Sequence, residues 1–171
     1  MKKMKISKTL YTSLFVSLLL MAFTSCDIVD DDDVGSTKVV DMAGDWYVKL
    51  LDDGGDDIYG LGYQLISTYN TSSNDGTELW IDDRGHTWGF KVKATVNITG
   101  FTLSGSDLTS SVDGYDITVN ITDGKITKGE VITEGGNPTD GISFNAEFSD
   151  DPGTIYTIVG YKRTGFAEDE H

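Results

Sequence analysis

From Gly44 onward the chain is written in a period of two, and that period constrains the fold more than any other feature. In Gly44-Asp45-Trp46-Tyr47-Val48-Lys49-Leu50-Leu51, the residues Trp46, Val48 and Leu50 fall on one face and Asp45, Tyr47 and Lys49 on the other. A strand buried on one side alternates in this way, because successive side chains point to opposite faces of a sheet. The same period returns along the rest of the chain. Ile58 to Asn70 places Tyr59, Leu61, Tyr63 and Leu65 on one face, and Thr77 to Asp82 is a short strand carrying Trp80. Trp88 to Ile98 sets Trp88, Phe90, Val92, Ala94 and Val96 against Lys91, Lys93, Thr95 and Asn97. Phe101 to Leu103 reads as a short strand with an irregular return to Val112. Tyr115 to Thr122 alternates, Asp123-Gly124 reads as a two-residue hairpin turn, and Lys125 to Thr133 returns. Ile142, Phe144, Ala146 and Phe148 share a face, and Ile155 to Arg163 closes the series with Ile155, Val159, Tyr161 and Arg163 on one side. The stretches 71–76, 83–86, 134–141 and 151–153 are turn clusters, and the acidic end Glu168 to His171 reads as frayed.

This pattern predicts an all-β domain of roughly eight to ten strands joined as sequential hairpins. One apolar face per strand implies one shared interior. Closing the meander removes its edges, so the expected architecture is a single up-and-down antiparallel β-barrel of about eight strands. A β-sandwich of two sheets accommodates the same alternation, but long crossovers of the Greek-key kind are not visible. Eight strands enclose an interior that side chains fill or that holds one small ligand.

The N-terminus is of another kind. Lys2, Lys3, Lys5 and Lys8 precede an apolar run from Leu10 to Phe23 and the small residues Thr24-Ser25. That is the layout of a secretory signal peptide over residues 1–25. Met21-Ala22-Phe23-Thr24-Ser25-Cys26 resembles the bacterial lipoprotein box, which implies acylation of Cys26, the lone cysteine of the chain. Several acyl chains hold a protein stably on a bilayer where one holds it marginally. With Cys26 so used, no thiol remains for a disulfide. Residues 26–37 form a lipidated cysteine and an acidic tether in which five of the residues from Asp27 to Thr37 are aspartate. Like charges keep it extended. It resembles the stretch after the cysteine of surface-exported lipoproteins of some Gram-negative bacteria, and a plain spacer reads equally well. Residues 38–171 remain for the barrel.

Four of the 13 Lys and Arg lie in the signal and none of the 28 acids does, so the rest of the chain sets nine bases against 28 acids, a formal charge of −19. Such a surface repels phosphate backbones and anionic bilayers. Nucleic acid is therefore excluded as a partner, and membrane contact is expected through acylated Cys26.

Gly44-x-Trp46 on the first strand, with a basic residue on the last, resembles the lipocalin pattern. The resemblance implies a barrel base in which Arg163 covers the Trp46 indole. A longer resemblance is carried by Trp80-Ile81-Asp82-Asp83, Trp88-Gly89-Phe90-Lys91-Val92-Lys93, Phe148-Ser149-Asp150-Asp151-Pro152-Gly153 and Gly160-Tyr161-Lys162-Arg163-Thr164-Gly165-Phe166. Together these resemble the lipid-binding putative hydrolase family of bacterial lipoproteins, described as lipocalin-like. It implies a lipid or other small apolar ligand and an outer-membrane address in a Gram-negative cell envelope.

Catalytic chemistry is not legible. There are two histidines: His171 lies at the end, and His86 sits in a turn beside Asp82 and Asp83; no Gly-x-Ser-x-Gly elbow is present. Glu130 and Glu147 are the mid-strand acids, and Asp52 to Asp57 lacks the spacing of a calcium loop. No catalytic residue, metal or cofactor is expected, and a monomer is. The candidate ligand site is the aromatic set assigned to inward faces: Tyr63, Trp88, Phe90, Tyr115, Phe144, Phe148 and Tyr161. Two other functions fit the same residues. One is a glycan-binding surface lipoprotein with Trp80, Tyr47 and Tyr156 as outward platforms; the other is a structural subunit with a filled barrel.

Overall fold

A computed structural model describes residues 35–171; the signal segment, Cys26 and most of the acidic tether lie outside the described residues. A 3-10 turn at Val40–Met42 leads into eight strands. They are β1 (Gly44–Leu51), β2 (Gln64–Asn70), β3 (Glu78–Asp82), β4 (Lys91–Asn97), β5 (Thr102–Thr109), β6 (Thr118–Ile132), β7 (Pro138–Phe148) and β8 (Tyr156–Lys162). Each pairs antiparallel with the next, and β8 pairs back onto β1 from Trp46↔Lys162 to Leu51↔Thr157. The expected closed up-and-down barrel is the fold, and the sandwich is not. Closure gives each strand a partner on both sides, and the β6–β7 hairpin runs on past the barrel, pairing only within itself beyond Lys125 and before Gly141.

The inward rows fill the barrel. Trp46, Val48, Leu50, Ile66, Leu79, Ile81, Val92, Val119, Ile121, Phe144, Phe148 and Ile158 are all at most 1 % exposed. Phe90 packs into the same core with its ring 5.4 Å from that of Phe148. One end is plugged. Val39, just before the 3-10 turn, and Met42, at its end, are buried in the same core cluster as Trp46, whose Nε1–H donates to Thr68 Oγ1 at 2.8 Å. Thr68 Oγ1 in turn donates to the Met42 carbonyl at 2.7 Å, so the indole's one polar atom is satisfied inside the base.

Two local expectations are corrected. Asp123-Gly124 is not a hairpin: β6 runs straight through it, with a register shift between Thr122 and Lys125. Asp123 takes the left-handed conformation, φ +52°, and the extra residue makes a bulge that turns Ile126 into the core and leaves Lys125 outside. Gly124 lies against Leu103, where a Cβ would come within 2.2 Å of the Leu103 carbonyl oxygen. The dipeptide that permits a turn here permits close approach instead.

The facing of β8 is the second correction. Tyr156 and Ile158 point inward and Gly160 shares their row, whereas Val159 and Tyr161 face outward. A Cβ at Gly160 would lie 1.9 Å from the Tyr47 carbonyl oxygen, so the β1–β8 seam requires glycine. The outward row of β8 therefore reads as more apolar than the inward one, which is why periodicity selects the wrong face.

Candidate functional site

The barrel's two ends differ. At the end opposite the plug, four connections converge: 52–63, 83–90, 110–117 and 149–155. They carry an aromatic cluster. The Trp88 indole lies flat on Phe148, with ring centroids 4.5 Å apart and planes 2° from parallel. Tyr156 packs 5.0 Å from Trp88, and Tyr59 closes on both rings at 6.1 and 6.2 Å. Stacked and tilted pairs of this kind add to what burial alone contributes. Around the cluster, Ile58, Tyr59 and Ile155 are 54 %, 51 % and 52 % exposed, although all three are large apolar side chains. This mouth is the candidate site.

The loop that delivers Trp88 is built on one carboxylate. Asp83, at the end of β3, is fully buried. Its Oδ1 accepts from the amides of Gly85 and Phe90, and its Oδ2 from the amides of Thr87, Trp88 and Gly89 and from the Thr87 hydroxyl, all between 2.7 and 3.2 Å. Six donors converging on one side chain hold the loop in a single shape and compensate the carboxylate for its lost water.

Two more aspartates tie the mouth loops together. Asp150 accepts from Trp88 Nε1 at 3.1 Å and from the Tyr115 hydroxyl. The Tyr115 bond, aided by Trp88, holds the Asp150 carboxyl below the usual carboxylate range and raises the Tyr115 phenol. Asp151 accepts from the Tyr156 hydroxyl at 2.7 Å, and that oxygen lies 2.9 Å from the Tyr59 hydroxyl. Burial, then the bonds to Tyr59 and Asp151, push the Tyr156 phenol well above its ordinary value. The mouth is closed by carboxylate–phenol links laid over stacked rings.

The sequence-predicted ligand residues divide into three groups. Trp88 and Tyr115 are at the mouth. Phe90, Phe144 and Phe148 face inward as expected, but they fill the interior. Tyr63 and Tyr161 are on the outer wall, contrary to their assignment. Tyr161 sits opposite Tyr47 across the seam, and Tyr63 packs 5.2 Å from Tyr161. Residues 164–171 cover them: His171 stacks on Tyr63 at 4.3 Å, and the Tyr47 hydroxyl donates to Glu170 at 2.6 Å. This segment is held rather than frayed, since Asp169 is buried and accepts from Gly135, Asn137 and Thr164.

The barrel base is also reassigned. Trp46 occupies it, but Arg163 faces outward and pairs with Glu170, donating through Nε and Nη2. The cation near the indole is Lys162, with Nζ 5.7 Å from the ring centroid. Gly44 leaves room for it, since a Cβ there would lie 2.6 Å from Lys162 Cε. Of the outward platforms, Trp80 does face out, Tyr47 faces out beneath the 164–171 segment, and Tyr156 lies inside. Cys26 lies outside the described residues. The residues missed are Asp83 and Tyr59, and Tyr156 lies on the face opposite to its assignment. Of these, Asp83 had a signal, an aspartate closing a strand with Gly85 and Gly89 just beyond it.

No three His, Cys, Asp or Glu side chains among the described residues are placed to hold a metal ion. His86 Nδ1 is 2.8 Å from the Leu65 carbonyl oxygen, and Asp52 accepts from the amides of Gly54 and Asp56 within its own turn. Residues 31–167 match the family model described as lipid-binding putative hydrolase. No curated protein matches the chain.

Proposed function

The chain belongs to the lipid-binding putative hydrolase family, and from that premise we propose that it is an acylated envelope lipoprotein whose barrel takes an apolar chain at its aromatic mouth. The observation that carries this reading is the exposure of Ile58, Tyr59 and Ile155 around the Trp88–Phe148 stack. Three of the seven exposed large apolar side chains among the described residues meet here beside stacked rings, and such a grouping suits an apolar ligand. Because side chains fill the barrel, the ligand lies across the mouth instead of deep within it. The 52–63 loop is the segment that lifts. Its internal bonds, from the Leu61 and Gly62 amides to Asp57, travel with it. It is tied to the rest of the barrel by the Tyr59–Tyr156 hydroxyl contact, the packing of Tyr59 on Trp88 and Tyr156 and the packing of Leu61 on the core, while Tyr63 at its end stays held by Tyr161 and His171. A polar head group would then meet the hydroxyls and carboxylates of Tyr115, Asp150 and Asp151.

The anchor is Cys26, extended from the membrane by the acidic tether, and the address is the outer membrane of a Gram-negative envelope. The lipoprotein box and the charge of the tether support both. Metabolic labelling with a fatty acid marks the wild-type chain and should not mark Cys26→Ser.

Titration of the purified chain with a fluorescent fatty acid tests the ligand. Saturable binding is expected, weakened at least tenfold in Trp88→Ala and in an Ile58→Ser, Ile155→Ser double variant. Tyr63→Ala, on the outer wall, should bind as wild type does. Equal affinity in wild type and the mouth variants would refute the site.

A further inference from the structure

On the wall formed by β2, β3 and β4, an aromatic and polar surface lies away from the mouth. The outward residues of β3 are Glu78, Trp80 and Asp82, alternating with buried Leu79 and Ile81. Trp80 is paired with Tyr69 on one side and Lys93 on the other, so ring, ring and ammonium form one row across three strands. Lys93 Nζ is 5.1 Å and Lys91 Nζ 5.3 Å from the Trp80 ring centroid, and Lys91 also lies 5.4 Å from that of Tyr69. Beside Trp80 opens a cleft of about 390 Å³, lined by Glu78, Lys93, Thr109 and Ser111 among others. That is within the range of small-molecule sites, about 300–1,000 Å³. A second depression, of about 450 Å³, begins at Tyr69 and Asp82 and reaches Asp45 and Arg84.

The two depressions differ in how their polar groups are engaged. In the second, Asp82 is taken by Tyr69 and Lys91, and Asp45 by Arg84 and Ser67. In the Trp80 cleft, no described residue makes a salt bridge or side-chain hydrogen bond with the side chains of Glu78, Lys93, Thr109 or Ser111. The cleft thus offers a partly exposed indole, with the Lys93 ammonium resting on it, beside acceptors and hydroxyls that no other described side chain engages. A ligand that meets such a surface has a flat apolar face for the ring and a rim of hydroxyls for the polar groups. It also carries no net charge, since two carboxylates, Glu78 and Asp107, and two ammonium groups, Lys91 and Lys93, surround the ring and neither sign dominates.

We propose that the Trp80 cleft binds a neutral saccharide, with one sugar ring stacked on the indole and its hydroxyls shared between Glu78, Lys93 and Thr109. The exposed Lys93 arm turns its ammonium from the indole face to a sugar oxygen, and the ring's other contacts are kept. This site is separate from the mouth, so the chain can hold its apolar ligand and a glycan at once.

The test is a titration of the full chain with maltohexaose, cellohexaose and a mannohexaose, followed by tryptophan emission and by calorimetry. At least one should bind saturably in the millimolar range or tighter. Trp80→Ala should weaken it at least tenfold, Trp80→Phe should restore most of the loss, and Glu78→Gln should weaken it several-fold. Fluorescent fatty-acid binding should be unchanged in all three variants, which separates failure of this site from failure of the mouth. Absence of saturable binding by all three sugars, or equal affinity in wild type and Trp80→Ala, would overturn the proposal.

Discussion

Replacing Asp83 should damage this protein more than replacing any exposed acid, and the size of the effect follows from its bonds. The carboxylate accepts six hydrogen bonds while fully buried. Asp83→Asn keeps the shape but turns one oxygen into a donor. The less costly orientation puts that donor at Oδ1, against the Gly85 and Phe90 amides, and keeps the four bonds at Oδ2. Two charge-assisted bonds contribute about 1.5–3 kcal/mol each. Removing the buried charge returns part of its desolvation cost, so a net loss of about 2–4 kcal/mol is expected. Asp83→Ala orphans all six donors, and the loop should then open rather than remain unsatisfied. That would release Trp88 from Phe148 and cap the global loss near the cost of the loop's packing. Urea unfolding measures the first number. The second prediction is read from accelerated hydrogen exchange at amides 85–90 and a red-shifted tryptophan emission in Asp83→Ala. If Asp83→Asn unfolds within about 0.5 kcal/mol of wild type, as a typical surface substitution does, the carboxylate does not organise the loop.

Two further outcomes follow from the base and the outer wall. Trp46→Ala should cost about 3–5 kcal/mol as a buried aromatic; a double-mutant cycle should couple it to Lys162→Ala by about 0.5–1 kcal/mol and find it additive with Arg163→Ala. Coupling to Arg163 instead would reverse the assignment of β8. Burial first, then Tyr63 and neighbouring acids, push the Tyr161 phenol up to about 12. A raised folded value means that its contribution is complete below the unfolded value of about 10 and is lost as pH rises from there toward 12. Urea unfolding across that window should show a smaller alkaline loss in Tyr161→Phe than in wild type, and equal slopes would place Tyr161 in solvent.

Closure of the barrel was legible in the sequence because it depends on a property each strand carries locally. Alternation on β1, β3, β4 and β7 marks an inward face wherever the outward residues are polar, as Glu78 and Asp82 or Lys91 and Lys93 are. The strand-one tryptophan at the base, the inward phenylalanines and the outward Trp80 follow from the same rule. It fails where the outer face is apolar as well. Tyr63, Val159 and Tyr161 lie on the outside, the two tyrosines covered by residues 164–171 along with the correctly placed Tyr47, and no pattern around β2 or within β8 reports a segment that folds back from later in the chain. Only the tertiary structure decided that Gly160 belongs to the inward row, since its reason is the Tyr47 backbone across the seam. The same holds for Asp123-Gly124, a turn by local preference that Leu103 and the flanking register make into a bulge. The mouth was half legible: Trp88 and Tyr115 stood out as aromatics, but Asp83 is one of 28 acids until folding brings six donors to it. Strand pattern is local and repeats along the chain, whereas a buried carboxylate or a covered tyrosine is defined by partners that only chain closure assembles.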